Sequence, residues 1–345
     1  MPFIADDALA VQHLERIRET AGEIGRDVTV MEVCGGHTNV IMRYGIRQLL
    51  PSNVKLISGP GCPVCVSSQH DIDCMIRLAQ EGVPVATYGD MMRVPGSDGS
   101  LEGVKAAGGR VFEVYSATEA LALAGEQRDL VFFGVGFETT APMTSYLLEK
   151  GVSVYSVHKL VPPALATLVS SNSRIDGFID PGHVSTIIGT RPYEIIPVPQ
   201  AIAGFTAERV LRALRILLEM IRDGKKTVVN CYPEAVKEEG NPEAQKLLRK
   251  HFRVCDSDWR GLGRIPQSGF EVRDASLDAK VRYADVLEGV PKAKSTGCRC
   301  AEVLMGEIEP RECPFYKRSC TPEHPRGACM VSAEGSCAIS VRYVR

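Results

Sequence analysis

The sequence has almost no net charge: 40 Lys and Arg stand against 42 Asp and Glu, a formal charge of −2. That balance provides no basic field for phosphate backbones, which excludes nucleic acid as a principal partner. Long apolar runs are also missing. The longest, such as DLVFFGVGF at 129–137, are strand-sized and far short of the roughly 20 residues a membrane-spanning helix requires. The opening MPFIADDALAVQHLERIRE is acidic and then amphipathic, so it does not read as a secretory signal. No G-x-x-x-x-G-K-[ST] run occurs, which argues against a conventional phosphate loop.

Cysteine, by contrast, is plentiful. Twelve cysteines in a chain without a secretory signal point to a reducing, cytoplasmic setting, where thiols more often bind metals or carry redox chemistry than staple loops. They fall into two groups. Cys34, Cys62, Cys65 and Cys74 lie early; Cys298, Cys300, Cys313, Cys320, Cys329 and Cys337 crowd the end, with Cys231 and Cys255 isolated between.

At 345 residues and 44% hydrophobic content, the chain exceeds what one core usually organises, about 250 to 300 residues. From about residue 28 to 205, β-branched runs alternate with helix-like segments, an α/β signature. VTVMEV, VKLIS, VPVATY and RVFEVY read as strands, then DLVFFGVG, VSVYSVH, DGFID and YEIIPV; HTNVIMRYG, SSQHDIDCMIRLAQEG, ATEALALAG, TTAPMTSYLLEKG and PPALATLVSSN read as helices. Glycine-rich punctuation repeats in both halves, EVCGGHT beside GVGFETT and SGPGCPV beside DPGHVST. The expectation is two Rossmann-like subdomains with parallel sheets, at 28–125 and 126–205, and a third, Cys-rich domain at 206–345 joined by a helix at 5–24. ERVLRALRILLEMIRDG and NPEAQKLLRKHF read as helices of that third part.

The tail has little apolar material, so ligation rather than burial is expected to hold it. Zinc sites favour C-x-x-C knuckles, and none occurs there. Cys313, Cys320, Cys329 and Cys337 are separated by six, eight and seven residues, which suits loop ligands wrapped around an iron-sulfur cluster. Zinc, or thiols without a ligand, stays open. Cys298 and Cys300 form a C-x-C pair whose side chains diverge if the segment is extended.

Three further features carry chemistry. Cys62 and Cys65, in GPGCPVC, have the spacing of a redox dithiol, with a half zinc site or inert core thiols as the alternative. Cys34 and His37, in EVCGGHT, pair a soft thiol with an imidazole after a strand. Cys34 and the Cys62/Cys65 loop share one crevice if their strands are neighbours. Glu138 in GFETT and His183 in DPGHVS occupy corresponding turns, while Asp90 and Arg93 in TYGDMMRVPG read as a solvated ion pair. Cys74 falls mid-helix and reads as core.

EVCGGHT, GPGCPVC, TYGDMMRVPG, GFETT and the tail CPFYKRSCTPEHPRGACMVSAEGSC together resemble the HypD family of hydrogenase maturation factors. The resemblance runs from about residue 30 to the C-terminus. It implies three domains, the third carrying a 4Fe-4S cluster on Cys313, Cys320, Cys329 and Cys337. It further implies a scaffold that works with the chaperone HypC, on which one transiently bound iron receives two cyanides and a carbon monoxide. HypE, charged by HypF, would donate cyanide. Cys34 would help hold the iron with His37 beside it, and Cys62 and Cys65 would be a redox-active pair; Glu138 joins the candidate catalytic residues from its position in the GFETT turn, expected to face the same cleft as His183. A thiol-disulfide oxidoreductase and a zinc-stabilised interaction protein are the competing classes.

Overall fold

Val28–Glu32 forms β1, buried at every residue but Thr29, as an apolar strand with parallel neighbours on both sides requires. It pairs in parallel with β2 (Val54–Ser58) and with β7 (Gly177–Pro181). β8 (Gln200–Ala203) and β9 (Val228–Asn230) complete a five-stranded parallel sheet of order β2-β1-β7-β8-β9. β3 (Val85–Tyr88), β4 (Val111–Val114), β5 (Val131–Gly134) and β6 (Ser153–Ser156) make a second parallel sheet, ordered β4-β3-β5-β6. This computed structural model describes residues 7–171, 174–291 and 297–343. Residues 5 and 6 of the first expected helix and Asn172 lie outside them.

The α/β class and parallel sheets match the sequence reading, but the sheets do not divide at residues 125 and 126. The chain lays down β1 and β2, leaves to build all of β3–β6, and returns as β7 on the free side of β1. Glycine punctuation marks where a strand ends; it carries no record of which strand will lie beside it.

This path creates two topological switch points, β1/β7 and β3/β5. At each, successive connections leave a central strand in opposite directions and open a crevice beyond the carboxyl ends. EVCGGHT and DPGHVST follow β1 and β7, while TYGDMMR and GFETT follow β3 and β5.

The helix Ala207–Arg222 packs against Ala8–Ile24 over the five-stranded sheet. Thr206 caps its start by accepting from the Arg209 N–H at 3.3 Å. YEIIPV is not a strand: Arg191–Tyr193 is a 3₁₀ turn and Ile195 is largely exposed. The prolines at 192 and 197 withhold ladder donors, so the next strand waits until Gln200. A hairpin unforeseen from sequence, β10 (Phe252–Trp259) with β11 (Gly263–Val272), is antiparallel, with an irregularity between Cys255 and Ser257. Beyond it the described residues of the tail form short turns and helices and one isolated bridge, Tyr316 with Cys320. Among the described residues no helix is long and apolar enough to cross a membrane.

Candidate functional site

Cys34 lies two residues beyond the end of β1 and stands at the N-cap of the helix Gly35–Arg43. Its amide donates to Glu32 Oε2 at 3.2 Å, and the Gly35 amide donates to the Gly61 carbonyl at 3.2 Å. A Cβ on Gly61 would fall onto the Cys34 backbone, so only glycine lets the GPGCPVC loop close over this strand end. β1 and β2 are neighbours, and the two motifs touch. Burial pushes the Cys34 thiol up to about 12; Glu334 and Glu32 add to the rise, and the His37 and Gly36 amides oppose it. A cation at the sulfur would reverse that balance.

Glu32 is a site residue that the sequence reading passed over. It is fully buried, accepts the Thr38 hydroxyl at 2.6 Å, and is raised by burial against hydrogen bonds from Ser58 and Thr38. A lone acid inside the apolar run VTVMEV was the available signal. His37 is buried within the helix rather than at its cap. Its Nε2 donates to the Ala203 and Gly204 carbonyls at 3.2 and 3.1 Å, leaving Nδ1 buried without a partner. Burial holds the imidazole down to about 4, so it is neutral. Phe205 stacks on both His37 and His183, with ring centroids 4.9 and 3.9 Å apart.

Cys62 and Cys65 are joined as a disulfide with their Cα atoms 5.2 Å apart. Cys62 caps the short helix Pro63–Val66, its Sγ accepting the amide of Cys65 within that helix at 3.1 Å. The sequence set this loop among turn formers and began the helix after Cys65. The chain instead starts the helix at Pro63 and buries both sulfurs, at 2% and 0% exposure, because Val64 and Val66 carry the turn into the core.

In the tail, Cys298, Cys300, Cys313, Cys320, Cys329 and Cys337 all line one small cavity. The C-x-C pair does not diverge, because Cys300 begins a helical turn, Cys300–Leu304, in place of an extended strand. The thiols of Cys298, Cys300, Cys329 and Cys337 are near enough to shift one another's titration. Cys329 is held well above its ordinary range by hydrogen bonds to Cys300 and Cys337 and by burial. Cys320 Sγ accepts the Arg326 amide at 3.3 Å. Among the described residues no group of three or more His, Cys, Asp or Glu is set to hold a single metal ion. An all-thiol donor set suits soft metals.

The tail is fastened to both switch points. The helices Cys300–Leu304 and Ala328–Val331 pack against Pro63–Val66, and Ser336–Tyr343 packs against Gly35–Arg43. Asp90 accepts the Ser332 hydroxyl at 2.7 Å, and Arg93 donates to the Pro322 and Glu323 carbonyls at 2.7 and 3.2 Å. Arg93 also stands 4.0 Å from exposed Glu102. TYGDMMR therefore clamps the Cys-rich tail, in place of the solvated Asp90–Arg93 pair expected of it, because each side chain finds its partner elsewhere. Cys74 is buried.

Glu138 is buried after β5; its Oε1 accepts the Val161 amide at 3.0 Å and its Oε2 has no partner. Burial pushes it up to about 8. His183 meets Phe205, whereas Glu138 lines a separate cleft. Asp180, on β7, is fully buried with neither oxygen partnered and is raised well above the carboxylate range by burial.

A family model described as "HypD: Hydrogenase formation hypA family" matches residues 8–344. The chain is 42% identical to the hydrogenase maturation factor HypD of Azotobacter vinelandii, covering 99% of this chain and 95% of that protein. It is 40% identical to a putative hydrogenase expression/formation protein of Methanocaldococcus jannaschii over 99% of each. With HypD of Rhizobium leguminosarum bv. viciae it shares 40% identity over 99% of this chain and 94% of the relative. The chain belongs to the HypD family of hydrogenase maturation factors.

Proposed function

We propose that this protein acts in hydrogenase maturation as the cytoplasmic scaffold, with HypC, on which an Fe(CN)₂CO unit is assembled, HypE supplying cyanide after charging by HypF. One observation carries this: the tail helices bearing Cys300 and Cys329 pack on the turn bearing Cys65, whose loop in turn rests on Cys34. Three thiol sites are contiguous.

Iron is the cargo. Cys34, at a strand end with two helix amides aimed at its sulfur, is the chain's soft ligand for it. Neutral His37 stands three residues on, its ring fixed by two carbonyls. A buried disulfide is poorly placed to exchange with external protein thiols, which disfavours a general thiol-disulfide oxidoreductase. Reduction of Cys62–Cys65 takes two electrons and yields two thiols or thiolates within reach of the Cys34 loop.

The tail residues fit a cluster: their donors are all sulfur, they line one cavity, and backbone amides point at Cys320. A 4Fe-4S cluster bound by Cys313, Cys320, Cys329 and Cys337 would supply those electrons singly. Cys298 and Cys300 line the same wall.

The test is infrared spectroscopy of anaerobically purified protein, which reads the CN and CO stretches of bound iron. Cys34→Ala should abolish those bands while leaving visible absorption from the tail intact. Unchanged bands would overturn the role of Cys34; zinc in place of iron and sulfide would favour a zinc-stabilised interaction protein.

A further inference from the structure

Glu138 lines an open cleft of about 760 Å³ between the helices Val161–Ser171 and Pro242–His251 and one face of the β10–β11 hairpin. Its walls are apolar: Pro162, Pro163, Leu248 and Phe270 among them. Two large apolar side chains on its border stand in water, Ile195 at 67% exposure and Val254 at 52%. Exposed apolar surface continuous with a cleft marks an interaction site.

The polar groups are few and directional. Arg249 donates to Gln245 Oε1 at 3.3 Å, and Arg273 donates to the carbonyls of Arg249 and Phe252. Neither guanidinium faces a carboxylate among the described residues, whereas neighbouring Arg253 pairs with Glu271. Inside, Glu138 is 2% exposed with Oε2 unpartnered, and such a buried atom calls for an explanation. Gln267, also on the wall, sits at φ +50°, a conformation that costs a non-glycine residue energy and recurs at ligand clamps.

We propose that this cleft docks a partner protein through an apolar segment flanked by Asp or Glu. The apolar side chains lodge on Ile195, Val254 and the proline wall, the carboxylates meet Arg249 and Arg273, and a backbone carbonyl accepts from Glu138. Because burial keeps the Glu138 carboxyl neutral at pH 7, it offers an O–H to that carbonyl. A metabolite would fill the floor and leave Ile195 and Val254 in water; a polypeptide covers both. The inference deepens the scaffold reading, since assembly on a scaffold requires partner proteins, and it names the chemistry one of them presents.

The test uses the full chain and a short fluorescein-labelled synthetic peptide of Leu and Phe alternating with Asp and Glu, followed by anisotropy. A Lys-substituted counterpart and decanoate are the comparison probes. The acidic peptide should bind, more weakly as salt rises. Combined Arg249→Glu and Arg273→Glu, or combined Ile195→Asp and Val254→Asp, should each weaken it about tenfold or more, with circular dichroism unchanged. Equal binding to the variants, equal binding of the Lys peptide, or no peptide binding overturns the proposal. Decanoate binding without peptide binding also overturns it and makes the cleft a small-molecule site. Peptide binding together with normal infrared bands in Cys34→Ala would sink the scaffold reading and leave the docking site standing.

Discussion

The two thiol-rich regions hold their cysteines by different physics. Cys34, Cys62 and Cys65 are placed by a parallel sheet: backbone pairing of β1 and β2 fixes the strand ends, and a glycine contact closes one loop on the other. The six tail cysteines line one small cavity on a segment that, among the described residues, has no sheet of its own and is held by helix packing and by hydrogen bonds with the strand-end loop of Asp90 and Arg93. The sheet-built site is preformed by apolar burial. The tail site, on the reading proposed above, depends on what its thiols bind.

Four expected outcomes sharpen that contrast. The largest effect belongs to the tail: Cys329→Ala should lose the bound metal and make residues beyond Pro291 protease-sensitive, while far-ultraviolet dichroism of the two sheets persists. Limited proteolysis with mass spectrometry reads this, and a protected tail would mean its packing suffices alone. Gly61→Ala, at the sheet-built site, should cost roughly 3 kcal/mol, because the new Cβ meets backbone that cannot yield; the urea midpoint measures it.

Glu138 gives a pH signature. Its carboxyl titrates near 8 when folded, against about 4.3 unfolded. Between those values the folded chain holds more protons, so stability is highest below about pH 4 from this group and falls as pH rises toward 8. Glu138→Gln should flatten that decline, removing on the order of 3 to 4 kcal/mol of pH dependence, as read from urea midpoints at pH 5 and 8. The smallest effect, about 1 to 2 kcal/mol, is expected for Phe205→Ala, which removes the ring between His37 and His183. Its marker is a raised His37 titration by NMR as water reaches the imidazole.

Much of the sheet-built region was legible in the sequence, because local signals suffice there. β-branched runs located each of β1 to β7, though DLVFFGVG and VSVYSVH read about twice as long as the four-residue strands they contain, and four of the strand-end motifs fell at the switch points. The order of strands was not legible: β7 returns to β1 across more than a hundred residues, and no local pattern encodes that pairing. YEIIPV misled because its apolar residues sit between prolines that forbid a ladder. The β10–β11 hairpin was hidden by its pattern, since much of β10 is exposed and shows little apolar alternation. In the tail the four widely spaced cysteines stood out, but the inward turn of Cys298 and Cys300 required the short helix at Cys300. Glu32 and Asp180 were overlooked as single acids inside apolar strands, although a charge there calls for a reason.

The contiguity of the three thiol sites is tested most directly by the redox state of Cys62–Cys65 in anaerobic protein exposed to reduced methyl viologen, a one-electron donor. Differential alkylation with mass spectrometry reads it in the wild type and in Cys329→Ala. The disulfide should open in the wild type and stay closed in the variant. Equal reduction in both would show that the tail is not the route by which electrons reach the pair.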